Sequence, residues 1–166
     1  MDLEELRNKT REEGIVKNDQ EGPGVITTDD VGTTTIANTT LLDSRTTMAY
    51  ASSINDVNPR YYDDLREEGL MVHPCLAFSL QWASRFRPDQ KIDPRVAAFG
   101  VHASTDLRIY RPFQAGEAIT TQGKLIQKRQ IPPGVYNVEK YQMVSSSGEL
   151  VAELYYNGIT LSLIHI

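Results

Sequence analysis

Cysteine is almost missing from this chain: Cys75 is the one example among 166 residues, so no internal disulfide framework holds the fold. The three histidines, His73, His102 and His165, make no Cys/His pair at zinc-ligand spacing, and neither a metal nor a cofactor is expected. Long apolar runs are missing too. Nothing approaches the roughly 18 apolar residues of a membrane span, and Met1 to Glu13 is charged where a secretory signal needs an apolar core. A soluble, untargeted, cytoplasmic protein is the expectation. Basic charge is scarce, with 17 Lys and Arg against 22 Asp and Glu. At a formal charge of -5 and without a basic patch, the chain lacks the clustered cations that phosphate binding requires, which argues against a nucleic-acid partner.

What is present suits one ordinary domain: 40% hydrophobic and 23% charged residues allow a single sizeable core. Asp2 to Glu13 carries Leu3 and Leu6 on one side of a short peripheral helix, and Asp19 to Gly24 is a polar loop. The Thr- and Ile-rich run Val31 to Leu42 suits a strand or an extended edge segment. Asp43 or Ser44 can cap a helix through Ile54, and Pro59 stops any helix arriving from Tyr50. Pro74 opens a second helix, about Cys75 to Phe86, with Leu76, Leu80 and Ser84 on one stripe and Phe78, Trp82 and Phe86 on another. A helix apolar around most of its circumference is expected to be buried. After a polar stretch, Arg87 to Arg95, four strands are expected: Ala98 to Tyr110, Glu117 to Arg129, Val135 to Ser145 and Leu150 to Thr160. Turn signals at Pro112 to Gly116, Pro132 to Gly134 and Ser147-Gly148 separate them. That order predicts an α+β domain, an antiparallel sheet curled around the second helix.

The six residues Leu161 to Ile166 back-translate to a transposase mosaic end used in preparing sequencing libraries. They are read as adapter rather than native chain, so His165 carries no functional weight. On this reading the natural frame continues past Thr160, and the chain is the N-terminal part of something longer.

Four segments carry a resemblance: Tyr50-Ala51, then Asp56-Val57-Asn58-Pro59-Arg60-Tyr61, then Val72-His73-Pro74, and Tyr110-Arg111-Pro112-Phe113-Gln114-Ala115-Gly116-Glu117. In order and spacing they resemble the MaoC-like dehydratases. The likeness runs over roughly Thr46 to Thr160, and it implies a hot-dog fold, with the sheet wrapped around a long central helix. It also implies an acyl-CoA or other acyl thioester substrate and (R)-specific hydration of an enoyl thioester. Residues 43–160 would then be the hot-dog domain and 1–42 an N-terminal extension with the first strand region.

In active members the motif is D-x-N-P-x-H, whose Asp and His activate one water, while a glycine amide at the helix start polarises the thioester carbonyl. Both tasks have plain physical grounds, because the water must lose a proton as it adds and the charge growing on oxygen needs a fixed N–H donor. Here Asp56, Asn58 and Pro59 remain, but Tyr61 stands where the histidine belongs. A phenol with an ordinary pKa near 10 is a poor proton shuttle at neutral pH. Pro74 replaces the glycine and offers no N–H. This combination resembles the N-terminal half of double-hot-dog members, in which the first half shapes the acyl pocket and the second carries the intact motif. A second hot-dog domain or subunit is therefore the expected partner, in a homo- or heterodimeric arrangement.

Each candidate residue also has a structural reading. Asp56 and Asn58 can bond to nearby backbone in a turn that ends the first helix. His73, the alternative partner for Asp56 in a rearranged site, can equally be a hydrogen-bonder beside a helix start. His102 reads as a core or interface residue, Cys75 as a buried small hydrophobe, and Phe78, Trp82 and Phe86 as core. Arg111 could meet a CoA phosphate or simply be solvated on its turn. Two further functions stay open: a catalytically empty partner subunit of a heterodimeric dehydratase, and an acyl-CoA thioesterase relying on Gln81 of the central helix.

Overall fold

The computed structural model describes residues 30–85, 99–132 and 134–161. The expected helix at Asp2 to Glu13, the loop at Asp19 to Gly24, Phe86, the stretch Arg87 to Arg95 and the last five residues lie outside the described residues.

Alternating apolar and polar residues after position 99 produce four long strands. They are β2 (Gly100–Ile109), β3 (Ala118–Ile131), β4 (Gly134–Ser145) and β5 (Leu150–Leu161). The Thr-rich run supplies a shorter β1 (Asn38–Leu41), and among the described residues two α-helices precede β2: α1 (Ser44–Ser53) and α2 (Leu76–Arg85). The five strands form one sheet in the order β1-β3-β4-β5-β2, with every neighbouring pair antiparallel. Tight turns join β3 to β4 and β4 to β5, so these three make a meander, and the two strands that come first in sequence become the sheet edges. The segment before β1 extends that edge, since Thr35 N–H donates to Gly123 O at 2.8 Å, Thr35 Oγ1 accepts from Gly123 N–H at 2.7 Å and Gly32 N–H donates to Leu125 O at 2.8 Å.

One face of the sheet is apolar, carrying Ile119, Tyr141, Met143, Ala152 and Leu154, all fully buried. α2 lies on it, turning Leu76, Ala77, Leu80, Gln81 and Ser84 inward against β3, β1 and β5. Gly123 on β3 approaches its register partner Tyr141 on β4 closely. A Cβ at position 123 would meet Cδ1 and Cζ of the tyrosine ring at 2.8 Å. The missing side chain is what lets the ring lie flat over the strand. The last turn of α2 is pinned by Ser84 Oγ, 2.8 Å from Thr35 Oγ1.

The expected α+β order is borne out, and the strand limits agree to within a few residues. Burial of the helix is not as expected. α2 runs to Arg85 and buries one side only: Ser79 and Ala83 are exposed and Trp82 is 50% exposed, so Trp82 is no core residue. Apolar composition on every side of a helix reports what it can bury, and this sheet covers one face. Cys75 is only partly buried, and His102 is exposed on β2, with Nε2 2.8 Å from Thr105 Oγ1 and its ring 5.0 Å from that of Tyr156.

Candidate functional site

The site grows out of how α1 stops. Asp43 caps its start, accepting from Thr46 N–H at 2.7 Å. At the other end Asn55 takes a left-handed conformation (φ 58°), which asparagine tolerates better than most side chains. Asn55 N–H then donates to Ser52 O and Asp56 N–H to Ala51 O, the two bonds of a Schellman ending. Asp56 is the residue this motif delivers.

Its carboxylate closes an Asx turn, Oδ1 accepting from Asn58 N–H at 2.9 Å. Asn58 caps the one-turn 3-10 helix Pro59–Tyr61, Oδ1 accepting from Arg60 N–H at 3.2 Å. The structural reading of both residues as backbone-bonded turn formers is therefore correct. Tyr62 adds a clamp that nothing in the spacing announced: its hydroxyl donates to Asp56 O at 2.6 Å. The chain returns through Met71, which donates to Arg60 O and bridges Gln114, bringing His73 back beside Asp56.

His73 precedes α2 and accepts Leu76 N–H on its carbonyl. Its Nδ1 accepts from Cys75 N–H at 3.1 Å, so a neutral ring carries its proton on Nε2. That atom lies 3.5 Å from Asp56 Oδ2. The rings of Tyr61 and Tyr50 flank the imidazole at centroid distances of 5.0 and 5.6 Å. Burial, with the neighbouring Cys75, pushes the Tyr50 phenol above its ordinary range, so it stays protonated. Asp56, Asn58, Tyr61 and His73 thus converge in one cluster.

Arg111 stands apart, on the turn between β2 and β3. Its Nη2 donates to Glu117 at 2.8 Å, its Nε to Glu149 at 2.8 Å and its Nη1 to Pro112 O at 2.9 Å and Glu117 at 3.1 Å. A CoA phosphate at this guanidinium must compete with two carboxylates. Among the described residues no cluster of His, Cys, Asp or Glu could hold a metal, and no helix is long and apolar enough to cross a membrane.

The opposite sheet face carries a cluster that sequence alternation places outward but cannot pair. Glu153 accepts from Lys140 Nζ at 2.6 Å, Tyr110 OH at 2.9 Å and Gln142 Nε2 at 3.1 Å. The Lys140 bond, with the others, outweighs burial and holds this carboxyl below the ordinary glutamate value of 4.5. A carboxyl depressed in the folded state stabilises the fold above its unfolded pKa, and the contribution is lost as pH falls through the folded one. Stability is expected to fall below about pH 4.5, and Glu153→Gln to lower stability at pH 7 while flattening that acid limb; urea midpoints across pH read both.

No family model matches the sequence, and no curated protein matches it. Solved structures do. The (R)-hydratase of A. caviae involved in PHA biosynthesis superposes with a TM-score of 0.62 at 16% identity, over 81% of this chain and 98% of that one. The HadBC (3R)-hydroxyacyl-ACP dehydratase complex of Mycobacterium tuberculosis gives 0.63 at 15% identity, over 81% of this chain and 100% of that one. A MaoC-like dehydratase of Phytophthora capsici gives 0.67 at 19% identity, over 82% of this chain but only 49% of its own length. The chain has the hot-dog fold of the MaoC-like dehydratases and (R)-hydratases, as the resemblance implied.

Proposed function

We propose that the chain is a hydratase- or dehydratase-type hot-dog domain that binds an acyl thioester and scaffolds a second hot-dog domain or subunit carrying the complete motif. The observation that carries this reading is the cluster itself: the turn holding Asp56 is intact, while Tyr61 packs on His73 and Pro74 has no N–H for a thioester oxygen. Two further features support a partner. The ten-residue β2 forms a sheet edge with Val101 and Ile109 exposed, and such an edge is a ready template for pairing. The Phytophthora protein is also about twice the length this chain spans in it. Gln81, which a thioesterase would need, is buried against the sheet, so the geometry favours the hydratase reading.

The isolated chain is expected to hydrate a short trans-2-enoyl-CoA negligibly, because loss of one oxyanion donor alone costs about a hundredfold or more. Loss of absorbance of the conjugated thioester measures it. Robust turnover by the wild-type chain, abolished by Asp56→Ala, would sink the partner reading. Supplying a second hot-dog chain with an intact D-x-N-P-x-H motif is expected to give turnover that survives Asp56→Ala.

A further inference from the structure

We infer that His73 stands in for the imidazole missing at position 61, so that Asp56 and His73 form a water-activating pair lacking only a donor for the thioester oxygen. The inference concerns this domain's own pair and does not depend on the partner reading.

It rests on which atoms are already committed. Asp56 N–H is bonded to Ala51 O, its carbonyl to the Tyr62 hydroxyl and its Oδ1 to Asn58 N–H. Oδ2 is the atom directed at His73. His73 mirrors this, with Nδ1 engaged by Cys75 N–H and Nε2 turned to the carboxylate. One acceptor and one donor therefore face each other at 3.5 Å, beyond the about 2.7–2.9 Å of a charge-assisted N–H···O bond. A pair this loosely joined can share one water, which donates to Oδ2 and accepts from Nε2–H. Tyr61 gains a role on this view: its ring, 5.0 Å from the imidazole, holds His73 in place.

The chemistry balances on these groups. Asp56 Oδ2 takes a proton from the water as the water oxygen adds to the β-carbon of the enoyl thioester. The O–H bond breaks, the O–C bond forms, the C=C π pair becomes a new π bond between the α-carbon and the carbonyl carbon, and the carbonyl π pair moves onto the thioester oxygen. The carboxylic acid then returns the same proton to the α-carbon. His73 stays neutral throughout, as its accepted bond from Cys75 requires, and orients the water by its Nε2–H. What fails in the chain as it stands is the middle of this sequence, where negative charge reaches an oxygen beside Pro74.

Pro74→Ala and Pro74→Gly both return the N–H, so the test adds them singly to the full chain and follows hydration of a short trans-2-enoyl-CoA. Turnover is expected to rise on the order of a hundredfold above the wild-type background. In that setting His73→Leu and Asp56→Asn should each remove the gain, whereas His73→Gln, which keeps an N–H near the place of Nε2, should retain part of it. A merely structural histidine would not separate Leu from Gln in variants of equal stability. A folded Pro74→Ala chain with no gain, or a gain that survives His73→Leu, overturns the inference. Should neither proline variant fold, the imidazole 15N shifts of the wild-type chain decide it: a His73 ring without the Nε2–H tautomer overturns it too. Failure of the partner reading looks different, because it appears as turnover by the unaltered chain.

Discussion

Tyr61→His combined with Pro74→Gly is expected to turn the chain into a weak enoyl-CoA hydratase, and adding Asp56→Ala is expected to silence it again. The turn that presents Asp56 is fixed by the Schellman ending of α1, by the Asn58 amide and by the Tyr62 hydroxyl, none of which the two substitutions touch. The restored helix-start amide supplies a carbonyl donor, and a second imidazole arrives close to the first. Activity should remain modest, because a misplacement of about 1 Å can cost on the order of a hundredfold, and glycine at the helix start raises the entropy of the unfolded chain. Removing a general base typically costs about a hundredfold to ten-thousandfold, so the triple variant should fall to background. If it keeps the full activity of the double variant, Asp56 is not the base.

The largest stability effect is expected at the Gly123–Tyr141 contact. Tyr141 is fully buried, and its hydroxyl donates to Glu139, which in turn meets Arg85 at 3.5 Å. Burial and the Glu139 carboxylate both push this phenol above its ordinary range, so it stays protonated and keeps donating. Tyr141→Ala should cost about 3–5 kcal/mol, a large share of the about 5–15 kcal/mol that holds a domain together. Gly123→Ala overpacks the same spot from the opposite strand and should cost about 1–3 kcal/mol. Combined with Tyr141→Leu, the glycine substitution should become milder, since the ring it collides with is gone. Equilibrium unfolding in urea gives the coupling, and strictly additive costs would show that the ring is not what keeps position 123 bare.

Much of this architecture could be read from residues alone because its signals are local. Alternation over twelve to fourteen residues places β3, β4 and β5, Asp43 caps α1, and Ser147-Gly148 marks a turn that the glycine makes at φ 85°. The D-x-N-P segment announces its own Asx turn for the same reason. What stayed hidden depends on residues far apart in the chain. Trp82 looks like core until the sheet proves to cover only one side of α2. The meeting of Asp56 with His73, which the sequence offered only as one alternative, does not follow from spacing, because a loop must first fold back and bridge Gln114. Arg111 shows the same limit: its commitment to Glu117 and Glu149 reaches across two turns.

The strand order has a consequence for how the chain acquires its shape. β3, β4 and β5 need only short loops to meet, with Ile131 paired to Gly134 across the first hairpin, whereas Asn38 must find Thr121 and Gly100 must find Thr160. Distant pairings cost more loop-closure entropy and slow folding. The meander is thus expected to form first as an apolar platform, with β1 and β2 joining its flanks later. Asp56 and His73 sit on the stretch between those two late strands, so the site comes together only once the edges have closed.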